Sequence, residues 1–381
     1  MEHGCNYTVT PSKAGYEFTP ESKTFSTVSS NQTQDFTASE IQQYTLTMAV
    51  NTAGWGTTTP SVGSASYDEG TVVTITATPA SGYRFVNWTG SVASTTSATT
   101  TVTMSADRTV TANFEEVTGG ITLSIPGGTY QMGDEVGDLW DGCRPVHTVT
   151  VSSFEMSTYE VTNAQYTAYL NEALKTGDIT ASNSTVTGKT GSYSGEEYID
   201  LSGSYDSSNK CWITYSNGTF TVASGKENWP VVYVTWYGSK SFALYYGLDL
   251  PTEAEWEYAC RGGKQYKYGT DDGTISSSKA NYNSNVGHLA DVGNYPKNPF
   301  GLYDMSGNVW EWCHDWYGSY SSGSVTNPSG AQTGAARVIR GGGWSYSDGD
   351  CRSAGRDGGD PAGGDGDVGF RVVRRSYPQN Y

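Results

Sequence analysis

The 381-residue chain sets 22 Lys and Arg against 39 Asp and Glu, a net charge of −17, and carries no basic stripe. Nucleic acid and anionic membrane surfaces are therefore poor partners, because neutralising phosphates takes clustered cations. Tyr (28), Trp (11) and Gly (47) are abundant and charged residues make up only 16%, so most of the chain should fold, as two or three domains rich in strands and turns.

Residues 1–20 lack the charged and apolar regions of a signal peptide. Either an export signal has been removed or the chain begins inside a longer protein. No run approaches the ~20 apolar residues of a membrane helix, so no membrane insertion is expected. Six cysteines are too few for a disulfide scaffold but suit one or two bridges in an oxidising compartment.

Short alternating stretches broken by Pro, Gly and Asn fill residues 1–39, either part of an Ig-like β-sandwich or a partly ordered tail. Residues 40–117 hold the runs YTLTMAV, TVVTITATP, YRFVNWTG, TVTMS and RTVTANF, each with the two-residue period of a strand. Tyr83, Phe85, Trp88 and Phe114 are the expected core. The order of these runs resembles the small β-repeat modules related to internalin B-repeats, which implies a spacer without site chemistry.

VTGG at 117–120 reads as a linker, after which the pattern changes. Thr162 is placed to cap a helix from Asn163 to about Lys175, with Tyr166, Tyr169, Leu170 and Leu174 on one face. A second helix follows Thr235 to about Tyr246 and stops at Gly247. A third starts at Thr252, which forms a capping box with Glu255. Residues 176–228 are polar and read as a hairpin-bearing insertion. Trp310, Trp312, Trp316 and Tyr317 are expected in the core, since residues 310 and 312 share one strand face. His147 sits in an alternating strand and reads as structural; His314 reads as packed or surface.

The segments GGTYQMGD (127–134), RPVHTVTVSSFEMSTYEVTNAQYTAYL (144–170), PVVYVTWYGSKSFALYYGLDLPTEAEWEYACRGG (230–263), NPFGLYDMSGNVWEWCHDW (298–316) and RVIRGGGWS…GFRVV (337–373) follow one another. Together they resemble the formylglycine-generating-enzyme, or sulfatase-modifying-factor, family over residues 121–376. The resemblance implies an α+β, β-rich chain whose C-type-lectin-like domain is preceded by small all-β modules.

The family's enzymes hold copper between two cysteines five residues apart. Cuprous copper wants two soft thiolates. Here Cys351 stands at the second position and Tyr346 at the first. A phenol does not replace a thiolate, so no copper and no oxidase activity are expected. The sulfoxide-synthase branch uses several His residues for iron, and the four His here show no such spacing.

Residues 344–367, WSYSDGDCRSAGRDGGDPAGGDGD, contain six Asp and seven Gly between two family strands. A segment this poor in apolar residues reads as an ordered exposed loop, within a variable region of about 337–373. It resembles the variable region of proteins diversified by retroelements, in which template adenines are randomised; Asp, Gly, Ser and Tyr are all reachable from AAC codons that way. The resemblance implies ligand-contact positions at Trp344, Ser345, Tyr346, Ser347, Asp348, Gly349, Asp350, Gly355, Asp357, Gly358, Gly359, Asp360, Gly363, Asp365, Gly366 and Asp367. Cys351, Arg352, Arg356 and Pro361 read as fixed framework, and Trp344 and Tyr346 as rigid anchors. A Gly/Asp-rich calcium loop is the competing reading, but the segment lacks an EF-hand register with a terminal Glu.

The family also implies a structural calcium held by Asn308, the Val309 carbonyl and Glu311, with a second set at Asn281 and Asp291. The alternative is that Asn308 and Glu311 satisfy buried groups in a Trp-rich core. Cys313 and Cys351 fall in family elements that pack near each other, which implies a bridge between them, with Cys143–Cys260 a second pairing. Connectivity is not legible in sequence alone.

Three functions follow: a diversified ligand-binding protein on a bacterial surface or phage particle, recognising an extracellular protein or glycan; an altered formylglycine-generating-type oxidoreductase; or a structural surface protein. The missing thiolate at Tyr346 favours the first over the second.

Overall fold

The computed structural model describes residues 5–79, 83–116, 122–204 and 209–376. The chain divides into two compact units, residues 1–116 and 117–381.

The first unit is all β. Its opening pairs, Tyr7–Val9 with Lys23–Phe25 and Tyr16–Thr19 with Thr37–Glu40, bury no described residue. The module that follows stacks two sheets. One runs in the order Gly63–Asp68, Gln43–Val50, Arg108–Glu116 and Tyr83–Thr89; the other holds Thr99–Thr103, Val72–Pro79 and Gly56–Thr59. Alternation sends Leu46, Met48, Val73, Ile75, Val102 and Val110 inward, around Trp88 and Phe114. Phe85 is half-buried and packs edge-on to Phe114, while the Tyr83 side chain lies outside the described residues. Gly56 has no room for a side chain, because a Cβ there would sit 2.4 Å from the Phe114 ring.

The second unit mixes short sheets with three helices. Strand Thr122–Ile125, strand Phe154–Ser157 and the final strand Val373–Arg375 form one sheet, joining the two ends of the unit. Helix α1 (Asn163–Thr176) starts on the Thr162–Gln165 capping box and ends at left-handed Gly177. Its predicted inner face packs as expected: Tyr166, Tyr169 and Leu170 are buried and Leu174 is half-buried against them. Helix α2 (Trp236–Tyr245) is capped by Thr235, and α3 (Glu253–Arg261) by the Thr252–Glu255 box. The polar stretch after α1 contains a three-stranded sheet and the Ile213–Ser216/Thr219–Val222 hairpin.

The sheet that carries the 344–367 segment runs in the order Arg356–Gly359, Arg337–Arg340, Trp310–Trp316, Val368–Gly369. Trp310 and Trp312 are both fully buried. Trp316 and Tyr317, expected beside them in the core, are only half-buried. A bulge between residues 312 and 316 shifts the register, which breaks the alternation that core placement assumed.

Every residue of α3 is buried, so its cap is not a fraying surface end. Removing the Thr252 hydroxyl with Thr252→Ala leaves an N–H of the first turn without its acceptor. It should lower the stability of this unit by about 1 kcal/mol in denaturant unfolding.

Candidate functional site

The site is built on three buried arginines. Arg340, at the end of strand Arg337–Arg340, donates to Glu257 of α3 and to the Gly355 carbonyl. Arg356 grips Glu253 with a two-pronged fork, Nε to Oε1 at 2.6 Å and Nη2 to Oε2 at 2.9 Å, and its Nη1 bonds the Gly142 and Gly318 carbonyls. Arg371 pairs with Glu311 at 2.6 and 2.8 Å and also holds the Ser157 and Tyr303 carbonyls. In a low-dielectric interior such pairs persist only with close geometry and their remaining donors satisfied. The arrangement fixes both strands that flank the 344–367 segment.

Further backbone bonds pin that segment from beneath. Trp344 N–H reaches the Asn308 carbonyl, Asn283 N–H the Tyr346 carbonyl, Tyr233 N–H the Asp365 carbonyl, and Trp310 N–H the Asp367 carbonyl, all at 2.7–2.9 Å. Arg352 anchors to Asp138 through both guanidinium nitrogens. The positions read as framework, Cys351, Arg352, Arg356 and Pro361, are all buried.

On this base the expected contact positions divide. Ser345, Tyr346, Ser347, Asp348, Asp357, Asp360, Gly363 and Asp365 are exposed. Gly349, Asp350, Gly358, Gly359, Asp367 and Trp344 are half-buried, and Gly355 and Gly366 are buried. For several glycines the expectation of free variation is corrected by packing. A Cβ at Gly359 would lie 2.4 Å from the Trp312 ring, one at Gly355 2.6 Å from the Asp350 carbonyl, and one at Gly366 2.7 Å from the Tyr233 hydroxyl. Gly358 meets Ala336 and Tyr317 at 3.1 Å. Residues 356–359 form a strand rather than a loop, which puts these glycines against the core. Trp344 packs on the main hydrophobic cluster, so of the two expected anchors only Tyr346 presents its ring outward, with one face edge-on to Trp310 at 5.5 Å.

The acidic residues do not converge. Asp357, Asp360 and Asp365 each accept an N–H one or two residues ahead, and Asp350 accepts from Ser347. Among the described residues no group of three or more His, Cys, Asp or Glu could hold a metal. Asp367 is drawn inward, where burial, then the Asp365 charge, pushes its carboxyl up to about 6.

The five buried cysteines, Cys143, Cys211, Cys260, Cys313 and Cys351, are all free thiols, so neither the Cys313–Cys351 nor the Cys143–Cys260 bridge exists. Instead Cys260 hydrogen-bonds the Met305 carbonyl and Ser353, and Cys313 faces the Glu311 carbonyl in its own strand. Burial, then the Asp350 charge, pushes the Cys351 thiol far above its ordinary range. Burial, then Asp367, raises the neighbouring Tyr346 phenol to about 12. Neither group is disposed to ionise.

The calcium set does not fit a cation either. Both Glu311 oxygens bind Arg371, and Oε2 also accepts the Trp256 indole N–H at 2.7 Å. Asn308 Oδ1 accepts from Ala290 N–H and Asn281 Nδ2, and its own Nδ2 donates to Glu160. Val309 is buried between two residues already engaged, and Asp291 of the second set is exposed while Asn281 is buried. Asn308 and Glu311 satisfy buried polar groups, whereas Asn281 Oδ1 is buried without a hydrogen-bond partner.

Sequence reasoning missed the carboxylates that hold the arginines: Glu253, Glu257 and Asp138. The helix register offered a signal, since Glu253 and Glu257 are one turn apart. Their partners, 103 and 83 residues away, had none. Glu257→Gln removes the charge that Arg340 and Arg261 share, leaving Arg340 only the longer Glu253 contact at 3.3 Å, and should cost about 3–5 kcal/mol. Ser345→Ala, on the exposed rim, should change stability by no more than about 0.5 kcal/mol. Chemical denaturation of both variants checks the contrast.

Two family matches span most of the chain. Residues 44–118 match the Divergent InlB B-repeat domain, and residues 108–376 match the Sulfatase-modifying factor enzyme 1-like domain. The formylglycine-generating enzyme of Streptomyces coelicolor is 34% identical over 285 residues, covering 66% of this chain and 88% of that protein. The serine/threonine-protein kinase pkn1 of Chlamydia caviae is 36% identical over 255 residues, covering 66% of this chain but only 37% of that protein's length. Among solved structures, PvdO from Pseudomonas aeruginosa aligns with a TM-score of 0.50 and 25% identity, over 67% of this chain and 94% of PvdO. The Treponema denticola variable protein 1 aligns with a TM-score of 0.49 and 21% identity, over 75% and 99%. The chain belongs to the sulfatase-modifying factor enzyme 1-like family, with a C-type-lectin-like C-terminal domain.

Proposed function

We propose that this protein is a ligand-binding module, displayed outside the cell or on a phage particle, whose 345–365 surface is diversified by a retroelement. The observation that carries the reading is a segment almost without apolar residues whose backbone is nevertheless pinned at both flanks by buried ion pairs. Such a surface tolerates new side chains because its exposed ones make few long-range contacts, chiefly Tyr346 against Trp310 and Asp348 with the Tyr268 hydroxyl. The contact set in this reading is Ser345, Tyr346, Ser347, Asp348, Asp357, Asp360, Gly363 and Asp365. Tyr346 supplies rigid area and the remainder adaptable polar contacts, as in antibody paratopes. The carboxylates suit a cationic or hydroxyl-rich patch on an extracellular protein or glycan. The InlB-type module serves as a spacer; no described helix is long and apolar enough to cross a membrane.

The relatives named as formylglycine-generating enzymes raise oxidase activity as the second reading. Against it stand Tyr346 in place of the first thiolate and a buried Cys351 whose thiol resists ionisation; cuprous copper needs both as thiolates. The purified protein loaded with copper should leave a Cys-x-Pro-x-Arg peptide unoxidised, and turnover above the copper-only background would favour the enzyme. Sequencing the locus in sibling strains should find substitutions concentrated at the eight exposed positions and absent at Gly355, Gly359 and Gly366.

A further inference from the structure

A second feature of the C-terminal unit lies outside the loop surface. A cavity of about 290 Å³ opens between α3, the bulged end of strand Trp310–Trp316 and the 318–331 segment, lined by Asp315, Glu253, Arg356, His147, Trp316 and Tyr320 among others. The bulge at 312–316 carries Asp315 to its wall. Asp315 is 97% removed from solvent (3% exposed). Its Oδ2 accepts Glu253 N–H at 2.9 Å, and among the described residues Oδ1 has no hydrogen-bond partner.

The charge pattern selects the sign of a guest. Glu253 is neutralised by the Arg356 fork and by Arg340, and it accepts the Tyr320 hydroxyl. Four of the five Arg356 N–H groups are spent, on Glu253 and on two carbonyls, and its charge is matched by the Glu253 carboxylate, so little is left to attract an anion. His147 holds the Pro145 carbonyl through Nδ1 at 3.1 Å. A carbonyl only accepts, so Nδ1 is the donor here. Trp316 and Tyr320 are aromatic rings of the kind that attract cations; Trp316 already stacks on Arg337 at 3.6 Å and Tyr320 lies under Arg356 at 4.3 Å.

We propose that this cavity binds a small primary alkylammonium ion, with Asp315 Oδ1 as its counter-charge and hydrogen-bond acceptor. Burial, then the Glu253 charge, pushes the empty-site Asp315 carboxyl up to about 8, with Glu255 raising it further and Arg375 opposing. At pH 7 the acid therefore holds a proton. Guest entry ionises it, and up to one proton leaves for each ammonium bound. Glu253, Glu255, Arg337, Arg356, Arg375, His147, Cys313 and Tyr320 are the other charged or titratable groups around it.

The test is calorimetry of the full chain with n-butylamine and its neutral isostere 1-butanol. Butylamine should bind with a Kd of about 1 mM or tighter, release a proton at pH 7 when two buffers of different ionisation enthalpy are compared, and bind more tightly as pH rises from 6 to 8. Asp315→Asn keeps the acceptor for Glu253 N–H and should weaken binding by about 10- to 100-fold, the usual loss for a charge-assisted bond. Equal binding of 1-butanol, no binding of butylamine, binding without proton release, or an unchanged Kd in a folded Asp315→Asn variant would each overturn the proposal. The proton-release arm uses the unaltered protein, so it holds if that variant does not fold.

Discussion

Three buried guanidinium groups hold this domain's proposed binding surface in place. Arg340, Arg356 and Arg371 each meet a carboxylate that is itself out of water, and each spends further N–H groups on backbone carbonyls. Taking a charge from water costs several kcal/mol, and close pairing that uses most of the donors offsets it, with Arg340 Nε making only an ion-pair contact to Glu253 at 3.3 Å. That demand makes the geometry specific. Arg340 and Arg356 have to sit over α3 at Glu257 and Glu253, and Arg371 beside Glu311. The sheet edge cannot slide without leaving a charge unpaired, and the residues between the strands inherit that rigidity.

The consequence is a division of labour within one short segment. Cys351, Arg352, Ser353, Arg356 and Pro361 face inward, while the side chains at 345–348 face water. Glycine appears here in two roles. Gly363 has its nearest neighbour at 3.4 Å and occupies an exposed turn, whereas Gly359 and Gly366 are glycine because an indole and a phenol lie where a Cβ would be. A surface of this kind changes its chemistry at some positions and not at others, and the boundary is drawn by packing.

Much of the architecture was legible from local patterns. The Thr162 and Thr252 caps, the left-handed Gly177 and Gly262 stops and the inward Tyr166–Tyr169–Leu170 stripe arise from interactions within a few residues. So does the pairing of Trp310 and Trp312 on one face. What was not legible depends on distant partners. Glu311 reads equally as a metal ligand or an arginine partner until Arg371 and Trp256 are seen to occupy both its oxygens. Cys313 and Cys351 sit in neighbouring family elements, but Cys313 turns toward its own strand's carbonyl and the pair stays reduced. The 344–367 segment looks uniformly exposed by composition, yet the strand at 356–359 places Gly359 against Trp312 and Gly358 against Tyr317.

The central claim is that a fixed backbone separates the side chains that support folding from those free to vary. It is tested most directly by substituting every position from 344 to 367 in a displayed library and scoring each variant for protease-resistant folding. The account predicts near-complete tolerance at Ser345, Tyr346, Ser347, Asp348, Asp360 and Asp365, and loss of folding at Gly355, Arg356, Gly359 and Gly366. Loss of folding across 345–348, or free substitution of Arg356 and Gly359, would contradict it.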